Sequence, residues 1–198
     1  MGLDLEYTEG QTPLEEDEKE GLLIPTIATR GELDEYEQQN IEEAILWSIS
    51  RSFKEEAVLS EAFIKTVHTR MYGNVWAWAG EFRKTNKNIG VDKFQIPAEL
   101  KALLDDAKYW LANGTFSPDE CALRFKHRLV SIHCFPNGNG RHSRLMADIV
   151  IEKLLKQSHY SWGAGNSVNQ KDQRRRYLYA VKAADRGDIQ PLIDFARS

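Results

Sequence analysis

The residues His133-Cys134-Phe135-Pro136-Asn137-Gly138-Asn139-Gly140-Arg141-His142-Ser143-Arg144 hold the densest chemistry in this chain. Gly138 and Gly140 permit backbone conformations in which successive N–H groups face one point. A helix starting there adds its N-terminal amides and the positive end of its dipole, so the segment suits an anion. Arg141 and Arg144 stand three apart, neighbours on the first turn of such a helix, where two fixed guanidinium groups can neutralise two different phosphates. A nucleoside triphosphate fits this better than a lone carboxylate. His133 stands at the opposite shoulder, and a neutral imidazole is suited to take a hydroxyl proton near neutral pH. Asn137 offers a cation an amide oxygen, a weaker ligand for a hard divalent ion than a carboxylate. Phe135 and Pro136 read as an anchor and a stiffener.

Rival chemistries fit less well. No G-x-x-x-x-G-K-[ST] loop is present, and a dinucleotide fingerprint lacks its third glycine at position 143 and a preceding strand. Cys121, His127, His133, Cys134 and His142 lie close in sequence, but their spacing matches none of the usual structural zinc patterns. Cys121 and Cys134 are the only cysteines, too few for a disulfide scaffold and consistent with a reducing compartment.

Two helices must position the loop. Ser117-Pro118-Asp119-Glu120 predicts an N-cap, a proline at the first helical position and Glu120 as the capping-box partner, and the apolar stripe Ala122, Phe125, Leu129, Ile132 carries that helix to His133. The second runs from Asn139 or Gly140 through Leu155 with so broad an apolar surface that it reads as a central buried helix. Leu33, Tyr36, Ile41, Ile45 and Ile49 predict a helix over 32–50, and Phe63, Ile64, Val67 and Met71 one over 60–72. Leu100 to Leu111 predict another, ended by Asn113-Gly114. Gly163 to Asn166 read as a loop, with further helices at 168–185 and 190–197. Residues 82–97, where Phe82, Ile89, Val91, Phe94 and Ile96 interleave with polar residues, predict a short irregular hairpin. The expected fold is all-α: a helical bundle around a central helix, with a small β-hairpin inserted.

The 198 residues are 41% hydrophobic and 28% charged, enough apolar content for one core and too little length for several. A net charge of −4 gives no general attraction to nucleic acid or anionic membrane. No apolar run approaches a spanning helix and the N-terminus has no leader pattern, so a soluble cytoplasmic protein is expected, with no direct nucleic-acid or membrane partner. Residues 1–31 form an acidic arm, with eight carboxylates against Lys19 in the first twenty positions. Residues 32–198 form the folded domain. From Arg141 onward eleven Lys or Arg face six Asp or Glu, a balance that phosphate binding can use.

The loop resembles the signature of the Fic family (filamentation induced by cyclic AMP), H-P-F-x-[D/E]-G-N-G-R-x-x-R, departing from it at Cys134 and Asn137. The resemblance extends from about Glu32 to Asp194. Trp76-Ala77-Trp78-Ala79-Gly80-Glu81-Phe82-Arg83 is similar to the segment entering the family's hairpin, and Ala184-Asp185-Arg186-Gly187-Asp188 to its C-terminal signature. Within the family the chain most resembles the group called mobile mystery protein B.

The resemblance implies a Fic fold and a protein adenylyltransferase that moves AMP from ATP to a Ser, Thr or Tyr hydroxyl of a target protein and releases pyrophosphate. His133 is then the catalytic base. Asn139 and the amides near Gly138 and Gly140 hold the α-phosphate region, Arg141 the β-phosphate and Arg144 the γ-phosphate, with Mg²⁺ or Mn²⁺ weakly served by Asn137. The hairpin becomes a flap that docks the target through Lys87, Asn88, Ile89 and Gly90 by backbone pairing. Tyr177 and Asp185 either line the nucleoside pocket or serve as a core tyrosine and a helix-end carboxylate. The family's inhibitory [S/T]-x-x-x-E-[G/N] has no complete match, and Glu20, followed by Gly21, is the candidate to reach Arg144 from the arm. Alternatives are another phosphate transfer on the same scaffold, such as protein phosphorylation, or a catalytically weak nucleotide-binding regulatory module. A toxin-like role with self-inhibition or an antitoxin partner is also implied; target and oligomeric state are not specified.

Overall fold

The computed structural model describes residues 13–164 and 170–198. In chain order they form α1 (Glu16–Lys19), α2 (Arg30–Ile49), α3 (Glu55–Val58), α4 (Glu61–Tyr72), α5 (Ile96–Asn113), α6 (Pro118–Ile132), α7 (Asn139–Ile149), α8 (Gln170–Asp185) and α9 (Gln190–Arg197). Local chemistry sets the helix ends. Thr29 accepts from the Glu32 N–H while Glu32 reaches back to the Thr29 N–H, a reciprocal cap for α2. Ser60 and Ser117 cap α4 and α6, the Glu120 carboxylate pairing with Arg124 rather than closing a capping box, and Gly114 closes α5 in a left-handed conformation at φ 56°.

The helices build one core with α6 and α7 at its centre. α6 packs on α5 and α7, α7 on α4, α2 on α4, and α8 on α9. Leu145, Met146, Ala147 and Ile149 of α7 are buried, together with the polar His142 and Ser143. The central helix therefore forms as expected, but its last turn widens over Val150–Leu154, where the Leu155 N–H bonds to the Val150 carbonyl. The loop expected at 163–166 and the helix start at 168 fall partly outside the described residues.

Two expectations need correction. In α2, Tyr36, Ile45 and Ile49 are exposed, whereas Glu37, Asn40 and Ser48 are buried beside Leu33, Ile41 and Ala44. Each inward polar group has a partner that offsets its desolvation: Glu37 Oε1 accepts from Trp76 Nε1 at 2.8 Å, Asn40 Oδ1 from the Asn74 N–H at 3.1 Å, and Ser48 donates to the Ile45 carbonyl.

The second correction concerns the β-hairpin. Among the described residues there is no strand, and the segment 82–92 is a loop followed by a 3-10 turn at Lys93–Gln95. Arg83 takes the place of a ladder. Its buried guanidinium donates to the carbonyls of His133, Thr85 and Val91 and to Asn86 Oδ1. Asn86 in turn bonds Asp92 and the Lys93 N–H. Side chains have captured the carbonyls that cross-strand pairing would need.

The described part of the acidic arm lies against residues 76–78 and, through Glu18, against this loop. Leu14 and Ile27 are buried, the Ala77 N–H donates to the Gly21 carbonyl at 2.8 Å, and Leu22 and Trp76 form an isolated antiparallel bridge. No described helix is long and apolar enough to cross a membrane.

Candidate active site

α6 ends because His133 turns left-handed, at φ 57° and ψ 61°, and the chain crosses to α7 through Cys134–Gly138. A non-glycine residue in this conformation is uncommon and must be held by its surroundings. Its carbonyl accepts from Arg83 Nε at 2.6 Å, and the Cys134 carbonyl accepts from the Arg83 N–H at 2.9 Å. Burial, with help from the nearby Arg83 and Lys87 cations, pushes the His133 imidazole down to about 4, while a backbone bond at Val130 opposes this. The ring is therefore neutral at pH 7, as a proton acceptor must be.

The loop is wired from α4 as well. His68 is fully buried and stacks on Phe135 with ring centroids 3.8 Å apart. Its Nδ1 accepts from the Gly80 N–H at 3.0 Å, so the proton sits on Nε2 and is donated to the Asn137 carbonyl at 3.1 Å. Burial holds His68 well below its ordinary value, which preserves this neutral form. Asn139 uses its side-chain amide to bracket Phe135, accepting from its N–H at 3.0 Å and donating to its carbonyl at 2.7 Å. What Asn139 can offer an anion is therefore its main-chain N–H, in the open first turn of α7.

Gly138 caps α7 at φ 77°, and a Cβ there would stand 2.5 Å from the Tyr72 ring. Arg141 Nη2 meets Glu37 Oε2 at 2.7 Å, and Trp76 holds the other Glu37 oxygen. Arg144 has no carboxylate within 4 Å among the described residues and lies 5.4 Å from the centre of the Tyr177 ring. His133, Gly138, Asn139, Gly140, Arg141, Arg144 and Tyr177 all line one cleft of about 510 Å³, joined by Ile89 from the loop. Leu178, Val181 and Phe195 supply an apolar wall.

Other predicted residues lie elsewhere. Asp185 is exposed at the end of α8, 2.7 Å from His127 Nε2, and is not part of the cleft wall. Glu20 is exposed at the end of α1. Its neighbour Glu18 is buried instead, 2.5 Å from Lys87 Nζ, so that the Lys87 side chain is only 2% exposed while Asn88, Ile89 and Gly90 face solvent. Cys134 is buried, and burial pushes its thiol up to about 12, which makes it packing rather than a nucleophile.

The metal finds a poor fit. Asn137 Oδ1 accepts from the Gly138 N–H at 2.6 Å, and among the described residues no group of three His, Cys, Asp or Glu side chains is arranged to hold a metal. Glu37, His68 and Lys126 were not singled out by the sequence motifs. Glu37 had one signal: an acid at the four-residue interval between Leu33 and Ile41 must face inward with them.

Comparison with known proteins agrees with this geometry. The profile of the Fic/DOC family matches residues 58–151. A protein adenylyltransferase Fic of Drosophila grimshawi is 30% identical over 151 residues, covering 74% of this chain and 30% of the relative. One from Aedes aegypti is 32% identical over 136 residues, covering 67% of this chain and 26% of the relative. The chain thus spans less than a third of these relatives' length. Among solved structures, Fic-1 of C. elegans superposes with a TM-score of 0.68 at 23% identity over 90% of this chain and 51% of that one. BepC of Bartonella tribocorum, solved with bound AMPPNP, gives 0.67 at 19% identity over 91% and 95%. On the match to the family profile and to these relatives, the chain belongs to the Fic/DOC family.

Proposed function

We propose that this chain is a protein adenylyltransferase, transferring AMP from ATP to a Ser, Thr or Tyr hydroxyl of a target protein. One observation carries the reading: a neutral imidazole shares a cleft with an open helix N-terminus and two arginines. The triphosphate lies along the α7 amides, its tail toward Arg141 and Arg144. The hydroxyl oxygen attacks the α-phosphorus, the bond to the bridging oxygen of the β-phosphate breaks, pyrophosphate leaves, and the hydroxyl proton passes to His133. A base near 4 is weak. The incoming anion raises it, because negative charge beside an imidazole favours the protonated form.

Target docking falls to Asn88, Ile89 and Gly90, which are exposed beside His133; a Cβ on Gly90 would stand 2.6 Å from the His133 Cβ. Lys87 is given up to the arm. Inhibition by the arm is then best carried by Glu18 on the docking loop, with Glu20 left as a candidate for Arg144. Asp185 keeps a role outside the nucleoside pocket, in its pair with His127.

Incubation with a lysate and ATP labelled at the α-phosphate is expected to label protein, and ATP labelled at the γ-phosphate is not; the reverse pattern means phosphorylation. His133→Ala should lower α-label transfer at least about 100-fold while nucleotide binding persists. Binding without transfer in the parent, under Mg²⁺ or Mn²⁺, would leave a regulatory module, the reading favoured by the occupied Asn137 oxygen.

A further inference from the structure

Lys126 lies on α6, two turns before His133, and is fully buried. A buried ammonium without a carboxylate is costly. Among the described residues its one hydrogen bond runs to the cleft: Nζ donates to the Tyr177 hydroxyl oxygen at 2.6 Å and lies 4.6 Å from the centre of that ring. An ammonium has no acceptor, so the phenol oxygen must accept, and the single phenolic proton must point elsewhere.

Where it can point is set by the surroundings. A methyl group on Gly140 would stand 4.0 Å from the Tyr177 oxygen, which places the hydroxyl over the first turn of α7. The charged groups that bear on Tyr177 are Lys126, Arg144 and Arg174, all cations. Burial alone would raise the phenol, yet those cations hold it below its ordinary value. A proton in that field is best satisfied by an anionic oxygen brought by the ligand.

We propose that Lys126 is a positioning residue, whose bond to Tyr177 turns the tyrosine hydroxyl into a hydrogen-bond donor for a phosphate held over Gly140. The inference rests on the nucleotide reading above and deepens it. It separates Tyr177 from a purely apolar lining role: the ring can face the nucleoside while the hydroxyl serves the phosphates.

The test uses the full chain and two probes, ATP and adenosine, with affinities measured by calorimetry. Tyr177→Phe, which keeps the ring, is expected to weaken ATP about tenfold and leave adenosine within about twofold, because only the phosphates lose a donor. Lys126→Met should reproduce that pattern, and the double variant should be no weaker than the worse single variant. Additive losses, equal losses for adenosine, or a Tyr177→Phe protein that binds ATP like the parent would each overturn the proposal. Tyr177→Phe decides even if Lys126→Met does not fold. A parent that binds neither probe refutes the functional reading and this inference together, whereas additive losses in a parent that binds ATP refute the inference alone.

Discussion

The segments 133–140 and 82–92, proposed above to hold the nucleotide and to dock the target, touch at His133, yet they are held by opposite means. The segment 133–140 is fastened from within the core: His68 to Asn137, Asn139 to Phe135, and Tyr72 against Gly138. The segment 82–92 is fastened chiefly by two of its own side chains, Arg83 and Asn86, and from outside by Glu18 of the arm. A loop that must present phosphate donors without reorganising benefits from redundant buried ties. A loop that must accept a partner's backbone needs ties that can be released. Stability and adjustability are thus distributed over two neighbouring segments that share one histidine.

The strongest way to break this contrast is at the two glycines. Gly138→Ala meets both a positive φ and the Tyr72 ring, and we expect a loss of about 3 kcal/mol or more by denaturant titration. Gly90→Ala has a positive φ of 99° and would crowd His133, but its loop can yield. It should cost less stability than Gly138→Ala and fall chiefly on transfer. Equal stability losses would mean the loops are equally rigid.

Arg83→Met comes next. Removing a buried donor to three carbonyls should cost roughly 2–3 kcal/mol and slow transfer, since the His133 carbonyl loses its anchor. Glu18→Gln leaves Lys87 without its carboxylate, but the arm can lift and let water reach the ammonium. We expect only about 1–2 kcal/mol, with faster exchange of the amides at 85–91 and increased transfer. Unchanged exchange there would show that the arm does not restrain the loop. The smallest effect is expected of Asn137→Asp, which supplies the missing carboxylate: transfer should rise roughly threefold to tenfold with Mg²⁺ or Mn²⁺. No gain, or a loss, means the absent acid does not limit the reaction.

His133's depressed value gives these measurements a pH frame. In the proposed reaction the neutral imidazole is present above its pKa and lost as pH falls through it, so the acid limb of transfer should lie near pH 4, below an unperturbed histidine's. Lys87→Met removes one of the cations that depress it, and the limb should then move upward by less than about one unit.

Much of the site was legible in sequence because it is local. His133, the two glycines and the two arginines sit within one helix-loop-helix, so their spacing alone brings them to one end of α7. Capping residues marked α6 for the same reason: Ser117 and Glu120 act within a single turn. The buried face of α2 was misread because Tyr36, Ile45 and Ile49 carry the apolar signal while Glu37 and Asn40 do the packing. Their partners, Trp76 and Asn74, are 39 and 34 residues away, a distance that periodicity does not sense.

By itself, then, the amino-acid order determined the main helices, most of their ends and the stretch 133–144 from which His133, Gly138, Asn139, Gly140, Arg141 and Arg144 come to line one cleft, since each depends on neighbours a few positions apart. The fold alone decided that Arg83 replaces a strand ladder, that Lys87 is buried under the arm, and that Lys126 meets Tyr177 51 residues later. Those outcomes depend on which polar groups become dehydrated together, and that is a property of the assembled core rather than of any segment.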